Sequence, residues 1–153
     1  MKPFQLDSVL DHRKRLEDIA SNRLFEAGRQ KDLIQQKLDE ENRNLASLIE
    51  KTEELQGKTI PILDLISYED QIAYQEKNIL AIKKKLQEKT ENRLKERQNL
   101  IQKSKDRQIL ESLKEQQNRS WKQYLDKKEV SMLDEVATVR HGGERQMSNE
   151  PKY

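Results

Sequence analysis

The side chains able to carry proton transfer, metal binding or nucleophilic attack are few and scattered. There are two histidines, His12 and His141, and no cysteine among the 153 residues. A histidine acts as a base or a metal ligand only beside a carboxylate or a second ligand at suitable spacing. The two lie far apart in sequence without ligands at metal spacing, and antiparallel pairing of the chain would set His12 near Ile109, away from His141. There is no Gly-rich phosphate loop and no Ser/His/Asp arrangement. The run Lys83-Lys84-Lys85 could touch phosphate or an acidic partner. Three consecutive residues point in three directions on a helix, however, so the run reads as a solvated face. Tyr68 and Tyr74 are the remaining candidates: Tyr68 falls on an apolar stripe and reads as core, Tyr74 lies off it and reads as a contact residue. The chain is therefore expected to have no catalytic centre, no cofactor and no metal, and to act through its surfaces.

The elements that present those surfaces follow from periodicity. A mostly apolar stripe recurs in steps of three and four: Leu6, Val9, Arg13, Leu16, Ala20, then Leu24, Ala27, Lys31, Ile34, Leu38, Glu41, Leu45, Leu48, Thr52 and Leu55. Between Ala20 and Leu24 an additional step of four makes a stutter, which locally unwinds a left-handed supercoil. A second register opens at Leu65 and runs through Tyr68, Ile72, Gln75, Ile79, Ile82, Leu86, Lys89, Arg93, Glu96, Leu100, Lys103, Arg107, Leu110, Lys114, Gln117, Trp121 and Tyr124. Between them Gly57 suits a left-handed helix end, Pro61 bars continuation, and Asp64 or Ser67 can cap the second helix. Helices at about 4–56 and about 65–140, joined by a loop at 57–64, are the expectation. So short a connection places them side by side and antiparallel.

With the turn near residues 60 and 61, Phe4 faces Gln117 and the helix beyond has no partner within the chain. The helical pattern continues to Arg140, where His141-Gly142-Gly143 is expected to end it, leaving an overhang of about 30 Å by helix rise. Trp121, Leu125, Met132, Val136 and Val139 share one face of that overhang. A helix surrounded by water gains nothing from such a face, which implies a stripe shared with the first few residues or with a second copy of the chain, or a docking helix for another protein. The seam turns polar between Lys89 and Gln117, where packing should be loose. The fold class is all-α: an antiparallel two-helix coiled coil over residues 1–143, with an overhanging C-terminal helix and a disordered tail at 144–153.

Composition agrees with that class. Charged residues make up 38% and hydrophobic ones 33%, with four Gly and three Pro, which suits long amphipathic helices and leaves too little apolar material for a thick core. The formal net charge of +2 mixes both signs densely. No long basic field is expected, and hence no nucleic acid partner. The start Met1-Lys2-Pro3-Phe4 lacks a signal-peptide core, and the cluster Ile60 to Ile66, broken by Pro61 and Asp64, is too short for a transmembrane segment. A cytoplasmic protein is expected.

Three stretches carry a resemblance to a known family. They are Phe4-x-Leu6-x-x-Val9-Leu10-Asp11-x-Arg13, then Tyr68-x-x-x-Ile72 followed by Glu76-x-x-Ile79, and finally Lys127-Lys128-Glu129 with Leu133-Asp134-Glu135-Val136-Ala137 and Arg140. In this order, and with this loop position and length, the chain resembles the bacterial flagellar export protein FliJ family. The resemblance implies a non-enzymatic, stalk-like coiled coil of the flagellar type III export apparatus. It would dock in the export ATPase hexamer, promote its activity, contact the cytoplasmic domain of the export-gate membrane protein and handle export chaperones. It further implies a location peripheral to the cytoplasmic face of the inner membrane, and no small-molecule substrate. Carried over by position, ring docking falls to Phe4, Leu6, Val9, Arg13, Trp121, Leu125, Met132, Leu133, Val136, Val139 and Arg140. The gate contact falls to Tyr68, Ile72, Tyr74 and Ile79. A generic adaptor coiled coil that homodimerises through the overhang is the alternative.

Overall fold

The computed structural model describes residues 3–147. It is all-helical, 94% helix without strands, and consists of α1, Asp7–Gln56, and α2, Ile62–Met147. No helix among the described residues is long and apolar enough to cross a membrane. The chain divides into two compact units, one formed by Lys14–Lys105 and the other by the segments on either side of it.

Within the Lys14–Lys105 unit the apolar stripe becomes the contact between helices. Every stripe position from Leu16 to Leu55 is buried or half-buried, as is every one from Leu65 to Lys103 except the exposed Arg93. The densest packing is a cluster of Leu38, Ile79 and Ile82, flanked by Ile34, Leu45 and Leu86. Several polar groups on or beside the stripe are paired between the helices. The Gln75 amide donates to the Glu41 carbonyl oxygen at 3.2 Å and to the Glu41 carboxylate, Lys89 Nζ donates to Gln30 Oε1 at 3.1 Å, and Ser104 Oγ donates to Glu17 Oε1 at 2.9 Å. Thr52, buried at 4% exposure, donates its hydroxyl to the Leu48 carbonyl at 2.8 Å, so the seam holds no orphaned hydroxyl there. Ala20 and Ala27 are buried, and the Arg93 side chain lies over Gly28, with Nε 3.6 Å from where a Cβ would stand.

The connection differs from expectation in two ways. No glycine among the described residues has a positive φ, so Gly57 is not a left-handed cap; α1 instead closes with the Lys58 amide on the Leu55 carbonyl at 3.1 Å. Helix α2 also starts at Ile62, earlier than residue 65, because the Pro61 carbonyl accepts from the Asp64 and Leu65 amides at 3.1 and 3.3 Å. Asp64 then lies in the first turn, where its charge favours the helix N-terminus, and is no cap; Ser67 lies inside the helix.

In the second unit, residues 3–13 pack against α2. Phe4 and Leu10 are buried, at 8% and 2% exposure, and a turn from the Asp7 amide to the Phe4 carbonyl, 3.1 Å, tucks the phenyl ring in ahead of α1. Leu6 and Val9, expected on the stripe, are exposed. Lys114 Nζ meets Asp7 Oδ1 at 2.8 Å, Arg13 lies 3.7 Å from Asp106, and the Gln117 amide donates to the Pro3 carbonyl at 3.4 Å. Helix α2 does not stop at the glycine pair. It continues through Gly142 and Gly143 to Met147, because two glycines cost a helix only about 1 kcal/mol each and neither adopts a terminating conformation. The expected disordered tail is thus helical over 144–147; residues 148–153 lie outside the described residues.

Candidate docking surfaces

Among the described residues the longest uninterrupted exposed stretch is 122–143 of α2, where every residue is exposed. Leu125, Met132, Val136 and Val139 are 45, 59, 52 and 74% exposed. At about 100° per residue these four share a face about 80° wide with Trp121 and Lys128. Lys128 was not expected there; it puts a cation along one edge of an otherwise apolar face, a pattern suited to a partner with an acidic residue beside apolar ones. Leu133 and Arg140 project about 100–120° from Trp121, on the flank of the face.

Trp121 opens this surface. Half-buried, it stacks on Tyr124 with ring centroids 5.4 Å apart and planes at 24°. Beside it runs a groove of 380 Å³ lined by Trp121 and Leu125 together with Glu115, Asn118, Arg119 and Lys122. An aromatic side chain beside an aliphatic one, with polar and charged neighbours, is the composition of many contact centres between proteins. Of the remaining residues in the terminal set, Arg13 is half-buried and tied to Asp106, while Phe4 is packed inside. Leu10 was missed. It is the most buried large side chain among the described residues, and stepping the stripe back from Arg13 by four residues selects Val9 in its place.

The second surface lies in the Lys14–Lys105 unit. Tyr74, 74% exposed, lines a groove of 590 Å³ with Leu63, Ile66, Asp70 and Gln71. Tyr68 is half-buried with Lys51 Nζ 5.9 Å from its ring centre, a distance that allows cation–π attraction. Ile72 is half-buried, and Ile79, 4% exposed, belongs to the core cluster, where a partner reaches it only by separating the helices. The structure therefore brings Tyr68, Ile72 and Tyr74 to an accessible surface and keeps Ile79 from it. Leu63 and Ile66 were the missed residues here; Leu63 was assigned to the connection and Ile66 to the helix but off its stripe, and the helix start at Ile62 sets both along the same groove.

Electrostatics add little chemistry. Its hydrogen bond to Asp7 raises the Lys114 ammonium above its ordinary value, and the hydrogen bond from Arg29 holds the Glu26 carboxyl below its own. Both pairs sit at the surface. Among the described residues no group of three or more His, Cys, Asp or Glu side chains could hold a metal ion.

Comparison with known proteins adds one finding. The family described as "Flagellar FliJ protein" matches residues 1–146, nearly the whole chain. No curated protein and no solved structure matches.

Proposed function

Since this chain belongs to the flagellar FliJ family and is a component of the flagellar export apparatus, we propose that it is a non-enzymatic coupling shaft of that apparatus. In this reading α1 and α2 form one antiparallel coiled coil, and the part of α2 beyond residue 121 overhangs it. The cross-helix pairs support that arrangement: partner numbers add to nearly the same value for Asp7 with Lys114, Arg13 with Asp106, Glu17 with Ser104 and Gln30 with Lys89. The overhang docks in the ring of the export ATPase, and the surface around Tyr68, Ile72 and Tyr74 contacts the cytoplasmic domain of the export gate. Export chaperones are further partners, and the protein works in the cytoplasm at the inner face of the membrane.

The observation that carries this reading is the wholly exposed stretch 122–143 with four large apolar side chains on one face. A ring of subunits has a central cavity of the kind such a helix needs. Binding can shift the ring only by favouring one subunit arrangement over another, so stimulation follows from differential contacts at this face. The double variant Trp121→Ala, Val136→Ala should stay helical by circular dichroism yet lose most of its stimulation of the export ATPase. Full stimulation by that variant would refute the docking assignment.

A further inference from the structure

The charges of the Lys14–Lys105 unit are sorted by position in a way that the net charge conceals. Residues 39–82, which include the turn, carry ten acidic and four basic side chains, net −6. Residues 14–38 and 83–105 are brought together by the Lys89–Gln30 and Ser104–Glu17 hydrogen bonds and by Arg93 lying over Gly28. Together they carry fifteen basic and seven acidic side chains, net +8. Nine of the ten acidic groups in the first zone and twelve of the fifteen basic groups in the second are exposed. At 1.5 Å per residue each zone is a stretch of paired helices roughly 30–37 Å long. The expectation of evenly mixed charge is corrected accordingly: a basic zone exists, assembled from two segments distant in sequence.

We propose that two copies of the chain associate side by side and antiparallel through this unit, the acidic zone of each copy lying along the basic zone of the other about a twofold axis. The complement that the basic zone requires, of opposite sign and matching length, is present in the same chain. A twofold arrangement satisfies both zones at once, makes each contact twice and closes the assembly, so it yields pairs and not filaments. Charge matching of this kind fixes register and accelerates encounter more than it adds affinity. Adhesion is supplied by exposed apolar groups in both zones: Leu63, Ile66 and Tyr74 beside the acidic groups, Phe25 and Leu94 beside the basic ones. The pairing covers the Tyr74 groove, so a paired chain is a stored form that must separate before that groove can meet another partner. The pairing does not depend on the docking of residues 122–143.

The test is the mass of the full-length chain by light scattering, at ionic strengths where the screening length is about 10 Å (0.1 M) and about 3 Å (1 M). The wild type should have twice the 18.2 kDa of one chain at low salt and a single mass at high salt. One variant reverses the basic zone (Lys83→Glu, Lys84→Glu, Lys85→Glu, Lys95→Glu, Arg97→Glu), and another reverses the acidic zone (Glu53→Lys, Glu54→Lys, Glu69→Lys, Asp70→Lys, Glu76→Lys). Each, confirmed helical, should be monomeric alone at low salt, and an equimolar mixture of the two should recover the doubled mass. A mixture that stays monomeric, either variant pairing as the wild type does, or a mass indifferent to salt overturns the proposal. So does a wild type that is monomeric at low salt but sediments with anionic phospholipid vesicles or a DNA duplex, since the basic zone then serves that partner.

Discussion

Replacing Leu10 by alanine, with Val9→Ala as its neighbour control, separates the packing found at the start of α1 from the one that periodicity alone suggests. Leu10 is 2% exposed and Val9 38% exposed. Leu10→Ala removes three buried carbons, about 2.4 kcal/mol at about 0.8 kcal/mol each. The residual cavity adds less than in a globular core because a helix pair open on two sides can close around it, so the loss should be about 2.5–3.5 kcal/mol. Val9→Ala removes two carbons from a side chain already in contact with water, and alanine returns about 0.5 kcal/mol of helix propensity. Its net effect should stay within about 1 kcal/mol. Urea unfolding followed by the fluorescence of Trp121, the only tryptophan and a member of the same unit, reads this region directly. At slopes of about 1–3 kcal/mol per molar urea, the midpoints of the two variants should differ by about 1–2 M, with Leu10→Ala lower. Equal midpoints, or a lower one for Val9→Ala, would place the stripe through Val9 and refute the packing described.

The glycine pair in α2 gives a second test. A Cβ at Gly142 or Gly143 meets nothing within 4 Å, and neither residue has a positive φ, so Gly142→Ala with Gly143→Ala should raise the helical circular dichroism signal by removing about 1 kcal/mol of cost per residue; a fall would restore a left-handed cap. The core cluster should be sensitive where the neighbouring surface is not. Leu38→Ala should cost about 2–4 kcal/mol in thermal or urea unfolding, and Leu33→Ala, at a 53% exposed position, under about 1 kcal/mol. The pH dependence comes from the two surface pairs. Lys114 has a raised pKa, so its contribution is complete below its ordinary value of 10.5 and fades as pH rises through the raised one; Glu26 has a lowered pKa, so its contribution is complete above 4.5 and fades as pH falls through the lowered one. The melting temperature of Lys114→Met should therefore lie slightly below that of the wild type at neutral pH and converge with it in strong alkali, whereas a gap that widens in alkali would have the wrong sign.

Much of the seam was legible from spacing because a helix pair leaves little choice. From Leu16 to Leu55 each stripe residue is shielded, including Lys31, Glu41 and Thr52, which hydropathy alone would have set outside. Periodicity placed them; the structure supplies their partners or cover. The phase failed at Leu6 and Val9 because a turn ahead of α1 folds Phe4 inward and the first turn of the helix presents Leu10. Extrapolated steps carry no information about a chain end that leaves the helix. Glycine was read as a stop at Gly57, Gly142 and Gly143, yet its lack of a Cβ permits a helix end without requiring one. Of the two surfaces, the Trp121–Val139 face could be read from the wheel, since a single helix creates it. The Tyr74 groove depends on where α2 begins, and the charge zones depend on which distant segments lie together, so neither was visible along one dimension.

The most direct measurement uses the absence of cysteine. A single Val136→Cys substitution carrying a photoreactive benzophenone group, irradiated in the presence of the export ATPase, should give one predominant adduct with the ATPase subunit, mapped by mass spectrometry to residues lining the centre of its ring. A Thr59→Cys control at the turn should give none. Adducts from Thr59 alone, or from neither position while the two proteins remain bound to each other, would contradict docking through residues 122–143.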